Sequence, residues 1–303
     1  MITRHEYERV VWIDLESPTQ HDVRTLVEEY QIDALTAEEL LFPTVRPRLE
    51  VHQSYLYIVL HFPALRHTHK TKEQEIDFIV GDNFIITAHY EPIDALHKFA
   101  KVFDTKSMLA RETVGAHAGF VFFYLLKKMY KSVEHEISYI HDALKEIEGA
   151  VFKGREREMV IALSHAGRDL LNLRQTIEPH RDVLADLSER GRALFPESFA
   201  PYIKALTNEY YRVHNHVMRH IESTRELRET NNSLLYTKQN EVMKVLTIMA
   251  FVTFPLSLIA SVFGMNTENT PIIGSPYDFW IITSLMGVGT ILMFWFFKHK
   301  KWL

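Results

Sequence analysis

Val245–Met265 reads VLTIMAFVTFPLSLIASVFGM, and Phe279–Phe297 reads FWIITSLMGVGTILMFWFF. Neither run contains a charged residue. At 1.5 Å per residue, about twenty helical residues cover roughly 30 Å, the hydrocarbon thickness of a bilayer. The sequence therefore predicts two membrane-spanning helices, 245–265 and 279–297, joined by the short polar link 266–278 and followed by the basic tail 298–303, KHKKWL. A buried core helix is the competing reading for either run. Two lipid-length runs with matching flanks favour the hairpin across a membrane.

Basic residues set the expected orientation. No Lys or Arg lies between Val245 and Phe297, while Lys244 precedes the first run and three lysines follow the second. By the positive-inside rule both termini are expected in the cytoplasm and the link outside, in a plasma or inner membrane. The N-terminal stretch MITRHEYERVVWIDLESP has scattered charges and no apolar core, so a cleavable signal peptide is not expected.

Upstream, the pattern is mixed. Val10–Asp14 is strand-like, and Ser17-Pro18-Thr19 opens a polar helix. The run Leu49–Phe62 is rich in β-branched and aromatic residues, and Ile76–Val80 and Phe84–His89 flank the turn Gly81-Asp82-Asn83. From about Glu91 the period becomes helical. Val133, Ile137, Ile140, Leu144, Ile147 and Val151 step by four and three, as do Val160, Leu163, Gly167, Leu170, Arg174 and Ile177, with Gly154 between the two runs. A long antiparallel helix pair follows from this. Between Tyr202 and Phe263 there is no glycine and one proline, Pro255. That predicts one helix of roughly sixty residues, near 90 Å long, which needs neighbouring subunits along its length.

The expected fold class is thus an α+β cytoplasmic domain, a small sheet with surrounding helices, followed by a stalk helix that runs into a two-helix membrane hairpin. The expected segments are a cytoplasmic domain at 1–200, the cytoplasmic stalk at 201–244, a pore-lining span at 245–265, an external loop at 266–278, a second span at 279–297 and a cytoplasmic tail at 298–303.

Composition narrows the function. The 303 residues carry a net charge of −5 and no cysteine. No basic stripe precedes the tail, so a nucleic-acid partner is not expected. Without cysteine there is no disulfide framework and no thiolate metal site. There is no phosphate loop, nucleophile elbow, HExxH or cysteine-based zinc motif, so neither an enzyme nor an organic cofactor is expected.

A stripe on the long helix is the candidate site. Steps of three and four from Glu229 meet Ser233, Tyr236, Asn240, Met243, Thr247, Ala250, Phe254, Ser257, Ser261 and Gly264. The opposite face holds Ile248, Val252, Leu256 and Ile259. Two readings stand. Small residues form helix–helix packing faces in membranes. A hydroxyl-lined stripe narrowed by one bulky ring, Phe254, is also the wall of a pore with a hydrophobic constriction, though the stripe by itself favours packing. Continuation of polar residues into the cytosolic part, at Asn240 and Glu229, favours the pore. Pro255 reads as a tolerated kink. Among 17 histidines, His214, His216 and His220 sit together in HNHVMRH. The i, i+4 pair His216 and His220 has the spacing to bind a transition metal, but a solvated helix face is the favoured reading, because the sequence offers no third ligand nearby.

The chain resembles the CorA family of magnesium transporters. Gly264-Met265-Asn266 at the outer end of the first of two C-terminal spans carries the resemblance, supported by Asn240–Thr247 (NEVMKVLT) and the terminal Lys-Lys-Trp-Leu. Upstream, Trp12-Ile13-Asp14-Leu15 with Pro18, Arg46–Glu50 (RPRLE) and Phe84–His89 (FIITAH) match more loosely. The resemblance implies a homopentamer in the lipid bilayer whose cargo is a divalent cation, with cytosolic Mg²⁺ holding the pore closed. It implies that Gly264, Met265 and Asn266 form the outer mouth, with an Asn266 ring meeting hydrated Mg²⁺. It places Asn240, Met243, Leu246, Phe254 and Ser257 lower in the pore and Glu229 as an acidic ring near its cytoplasmic end.

Residue types agree with this. Mg²⁺ sheds water reluctantly, so neutral amides and carbonyls that hydrogen-bond its hydration shell suit a selective mouth. Glu268 attracts cations from outside without coordinating them. Departures from the family pattern are Phe263 before the glycine, Thr267-Glu268-Asn269-Thr270-Pro271 after the motif, and Phe254 and Ser261 where relatives often carry Met and Gly. These bear on ion preference among Mg²⁺, Co²⁺, Ni²⁺ and Zn²⁺ and on gating. Zinc transport and a non-conducting membrane-anchored sensor or scaffold are the alternative functions.

Overall fold

The computed structural model describes residues 2–64, 73–104, 117–265, 272–274, 276–300 and 302. In chain order the elements are β1 (Ile2–Tyr7), β2 (Val10–Glu16), α1 (Gln20–Tyr30), α2 (Ala34–Glu39), β3 (Arg48–Val51), β4 (Leu56–Pro63), β5 (Glu73–Val80), β6 (Phe84–His89), α3 (Asp94–Asp104), α4 (Ala118–Phe152), α5 (Glu156–Ile177), α6 (His180–Arg190), α7 (Ala200–Phe263) and α8 (Asp278–His299). The chain divides into two units, Met1–Arg228 and Glu229–Leu303.

The first unit is built on a six-stranded sheet of order β1-β2-β6-β5-β4-β3. All neighbours are antiparallel except β2 and β6, which run parallel with Trp12 opposite Ile85 and Ile13 opposite Ile86. Alternation sorts the side chains onto two faces. Ile13, Leu15, Tyr57, Val59, Ile79 and Ile86 pack against Val23 and Leu26 of α1 and Ala37 of α2. On the other face Trp12 meets Phe99 and Phe103 of α3, and Phe78 meets Phe122 of α4 edge to face. Both faces are therefore covered, which is why β4, β5 and β6 are buried nearly throughout. Each fully buried side chain of this size contributes about 1.5–3 kcal/mol of transfer free energy.

Local chemistry explains the boundaries. Thr19 caps α1: its hydroxyl accepts from the Asp22 amide at 3.3 Å, and the Asp22 carboxylate accepts from the Thr19 amide at 3.1 Å. Such a reciprocal cap is worth about 1 kcal/mol. Helix α4 stops at Gly154, whose φ of 87° favours glycine. The Arg155 amide reaches the Ala150 carbonyl and the Gly154 amide reaches that of Val151, both at 3.1 Å. This double bond pattern satisfies two terminal carbonyls and turns the chain into α5.

The helix pair buries Val133, Ile137, Ile140, Leu144, Ile147 and Val151 of α4 as the periodicity predicts. In α5 the buried row is instead Leu163, Ala166, Leu170, Leu173 and Ile177, while Val160 is 45% exposed. The run Leu49–Phe62 is not one strand. His52-Gln53-Ser54-Tyr55 turns β3 back onto β4, closed by the His52 amide on the Tyr55 carbonyl at 3.0 Å. The edge strand β1 and helix α6 were not predicted by the hydrophobic pattern; β1 is mostly exposed, so its pattern lacks a buried stripe.

In the second unit, the part of α7 from Glu229 onward and α8 are long and apolar enough to cross a membrane. Only 11% of the apolar window of α7 is buried, and none of that of α8, as suits spans rather than core helices among the described residues.

Candidate ion pathway

The described site residues lie on one helix. Glu229, Asn240, Met243, Leu246, Phe254, Ser257 and Ser261 all belong to α7, and Gly264 and Met265 follow its last turn. Asn266 and Glu268 lie outside the described residues.

The turn after α7 explains why glycine stands at 264. The Gly264 amide donates to the Ala260 carbonyl at 2.9 Å, continuing the helical ladder for one residue. A Cβ at this position would come within 2.9 Å of that same carbonyl oxygen, closer than side chains tolerate. The Met265 amide then turns to the Val262 carbonyl at 3.4 Å. Glycine thus lets the chain leave the helix tightly, just before Asn266.

The stripe is exposed along the span, as are Met249, Phe251, Leu258 and Val262 beside it. Met243, Leu246, Phe254, Ser257, Ser261 and Gly264 are exposed, with Phe254 at 72%. Ile248 is buried, and Val252, Leu256 and Ile259 are half-buried. Thr247 and Ala250 sit half-buried at the margin of the stripe. Helix α8 packs to the side: Phe251 and Phe297 meet with ring centres 6.4 Å apart, and Phe251, Pro255, Leu292, Phe296 and Trp302 border an apolar groove of about 490 Å³. The stripe is therefore not the surface on which the two spans pack against each other.

Hydroxyls along this helix are oriented by the backbone. Thr247 donates to the Met243 carbonyl at 2.7 Å and Thr253 to the Met249 carbonyl at 2.8 Å. With its proton committed, each oxygen presents acceptor lone pairs outward, which suits water of a cation's hydration shell. Glu229 and Asn240 extend the polar series on the exposed side of the same helix.

Away from the stripe, the sheet carries a buried polar chain. Trp12 Nε1 donates to Thr87 Oγ1 at 2.9 Å, Thr87 donates to Asp14, and His89 Nε2 lies 3.4 Å from Asp14. Burial disfavours a charged His89 ring, but the Asp14 carboxylate outweighs it and the net shift of its pKa is upward. This network ties β2 to β6.

An α/β domain with helices on both sheet faces, one very long helix that ends in an exposed lipid-length apolar segment, and a second exposed apolar helix define a two-span integral membrane protein with a large extramembrane domain. Residues 7–299 match the family model described as CorA-like Mg²⁺ transporter protein, and the chain belongs to that family. It is 28% identical over 298 residues to the cobalt/magnesium transport protein CorA of Thermotoga maritima, covering 96% of this chain and 83% of the relative. It is 21% identical over 295 residues to the cobalt/magnesium transport protein CorA of Methanocaldococcus jannaschii, covering 97% and 92%. The solved complete CorA magnesium transporter of Methanocaldococcus jannaschii superposes with a TM-score of 0.85 at 21% identity, covering 98% of this chain and 93% of that one. Full-length CmaX follows at 0.75 and 20% identity, covering 97% and 89%.

Proposed function

We propose that this chain is one subunit of a homopentameric, channel-type transporter of divalent cations, Mg²⁺ foremost and Co²⁺ or Ni²⁺ besides. The observation that carries the proposal is the exposed stripe of α7, polar or small apart from Met243, Leu246 and Phe254, which ends at Gly264 and Met265 beside Asn266. An exposed face of this composition in a membrane span needs a partner other than lipid. Five copies turned inward give it one, water and ions included. The relatives' names, which state cobalt and magnesium transport, support the choice of cargo.

In this reading α7 lines the pore and α8 lies outside it. Asn266 forms the outer ring, where amides hold hydrated Mg²⁺ through its water. Glu268 raises the local cation concentration. Phe254 forms a dry constriction, and Met243 and Leu246 narrow the pore toward the cytoplasm. Asn240, Ser257 and Ser261 hydrate the passing ion, and Glu229 collects it at the inner end. Both termini are cytoplasmic, the segments are divided as the sequence predicts, and cytosolic Mg²⁺ bound between subunits favours the closed state. Entry needs no ATP: a divalent ion gains about 4.6 kcal/mol at 100 mV.

Purified protein in liposomes under an inward Mg²⁺ gradient tests this, with the mass of the detergent-solubilised assembly measured by light scattering. Mg²⁺ influx by a pentamer is the expected result. Zinc influx without Mg²⁺ influx favours the zinc transporter. A pentamer that passes neither ion favours a sensor or scaffold, and a monodisperse monomer overturns the pore.

A further inference from the structure

The histidines of the stalk acquire a partner that their own helix does not supply. His141 on α4 faces His220 on α7, with ring centres 5.2 Å apart and planes tilted by 49°. The two residues are far apart in sequence, and both belong to the first unit. His141 is exposed and His220 half-buried, so water reaches the pair. Among the described residues neither ring makes a hydrogen bond or an ion pair.

The separation, within the range of ordinary ring contacts, also matches the spacing of two imidazoles on one metal ion. A transition metal binds imidazole nitrogen at about 2.0–2.1 Å, and that nitrogen lies about 1.1 Å from its ring centre. Two imidazoles on one tetrahedral ion therefore hold their ring centres about 5 Å apart. The pair is already at this spacing. His216, one turn back on α7, is half-buried and lies close enough to act electrostatically on His220.

We propose that His141 and His220 form a two-nitrogen site for a borderline-soft divalent ion, Zn²⁺, Co²⁺ or Ni²⁺, that bridges α4 and α7. Water fills the remaining positions, since among the described residues no three His, Asp or Glu side chains are gathered at ligand spacing. Imidazole ligands select against Mg²⁺, which takes oxygen donors. The site is therefore chemically separate from a pathway for hydrated Mg²⁺. It fastens the long helix to its neighbour in the extramembrane domain.

Full-length protein in detergent with millimolar MgCl₂, titrated with CoCl₂, tests the site through the visible absorption of Co²⁺ bound to nitrogen. The wild type is expected to develop this band with one Co²⁺ per subunit. H141A and H220A are each expected to raise the apparent Kd by about tenfold or more, through loss of one of two ligands. H214A is the control: His214 lies beside the Tyr210 ring, 5.7 Å away, and its loss leaves binding unchanged. His141 is exposed, so H141A keeps the packed surface intact. A thermal midpoint that rises with ZnCl₂ in the wild type and H214A, but not in H141A, gives a second readout. Equal Co²⁺ affinity in wild type and the H141A/H220A double variant, or a loss in H214A as large as in H220A, overturns the proposal.

Discussion

The phenol oxygen of Tyr130 on α4 lies 3.1 Å from Nδ1 of His180 on α6, while Nε2 of the same ring lies 2.8 Å from the His61 carbonyl on β4. A carbonyl only accepts, so Nε2 carries the proton and Nδ1 accepts from the Tyr130 hydroxyl. One neutral tautomer thus joins two helices to the sheet. Burial, partly offset by the His61 carbonyl, lowers the pKa of His180 to about 4. The unfolded chain, with an ordinary value near 6.5, binds a proton more readily. Stability from this group is therefore complete above about pH 6.5 and is lost as pH falls toward 4. Urea unfolding of the protein in detergent, followed by circular dichroism, is expected to lose about 2 kcal/mol between pH 7 and pH 5 from this group. The His180→Gln variant is expected to be less stable at pH 7 and flatter across that window. An equally steep profile in the variant assigns the pH dependence to other residues.

Asp77 behaves in the opposite sense. It is fully buried on β5, its Oδ1 has no partner among the described residues, and the Tyr90 hydroxyl donates to Oδ2 at 3.2 Å. Burial first, then the neighbouring Glu75, push its pKa well above the carboxylate range. Stability from this group is present below the ordinary aspartate value and declines as pH rises. The uncharged isostere removes that decline. Asp77→Asn is expected to exceed wild type in unfolding free energy at pH 8, with a smaller gap at pH 5. A variant destabilised equally at both values would show that the carboxyl's hydrogen bonds outweigh its ionisation.

Phe254→Gly is expected to raise basal cation leak several-fold, because five rings at this level form the dry constriction of the proposed pore. The substitution itself costs the helix about 1 kcal/mol in propensity, so flux must be normalised to assembled pentamer. Unchanged leak per pentamer moves the gate toward Met243 and Leu246. Fewer pentamers with unchanged conductance marks Phe254 as a packing residue.

Asn266→Ala is expected to reduce Mg²⁺ uptake to background while assembly survives. Within Gly264-Met265-Asn266 only the asparagine side chain accepts a hydrogen bond from a hydrated ion. Uptake in a magnesium-requiring host, alongside light scattering of the variant, checks both halves. Normal uptake by a correctly assembled variant removes Asn266 from the selective mouth.

Much of this molecule was legible because its signals are one-dimensional. Lipid-length runs, the absence of glycine from Tyr202 to Phe263 and the periodicity of α4 are local properties of the chain. The Thr19 cap was readable for the same reason. What escaped was set by partners distant in sequence. Strand β1 shows little hydrophobic pattern because it is an exposed edge, held by pairing such as His5 opposite Trp12. Val160 matched the helical period yet points outward, since Leu163, Ala166 and Leu173 take the core row. His141 gave no sign of metal chemistry until α4 brought it to His220. At the proposed pore the stripe was readable in order, but only the placement of α8 beside Phe251 and Pro255 shows which side of α7 is left open.

The parallel pairing of β2 with β6 imposes a schedule on biosynthesis. The ribosome makes residues 10–16 long before residues 84–89, yet the earlier strand finds its inner neighbour only in the later one. Until then the β1–β2 hairpin has an unpaired inner edge and an apolar Val10-Val11-Trp12-Ile13 surface, of the kind that chaperones bind. The sheet can close only after β6 emerges, and α4, which covers it, follows. The apolar spans follow the α/β domain in the chain, so the extramembrane domain has time to enclose its core before the chain is drawn into lipid.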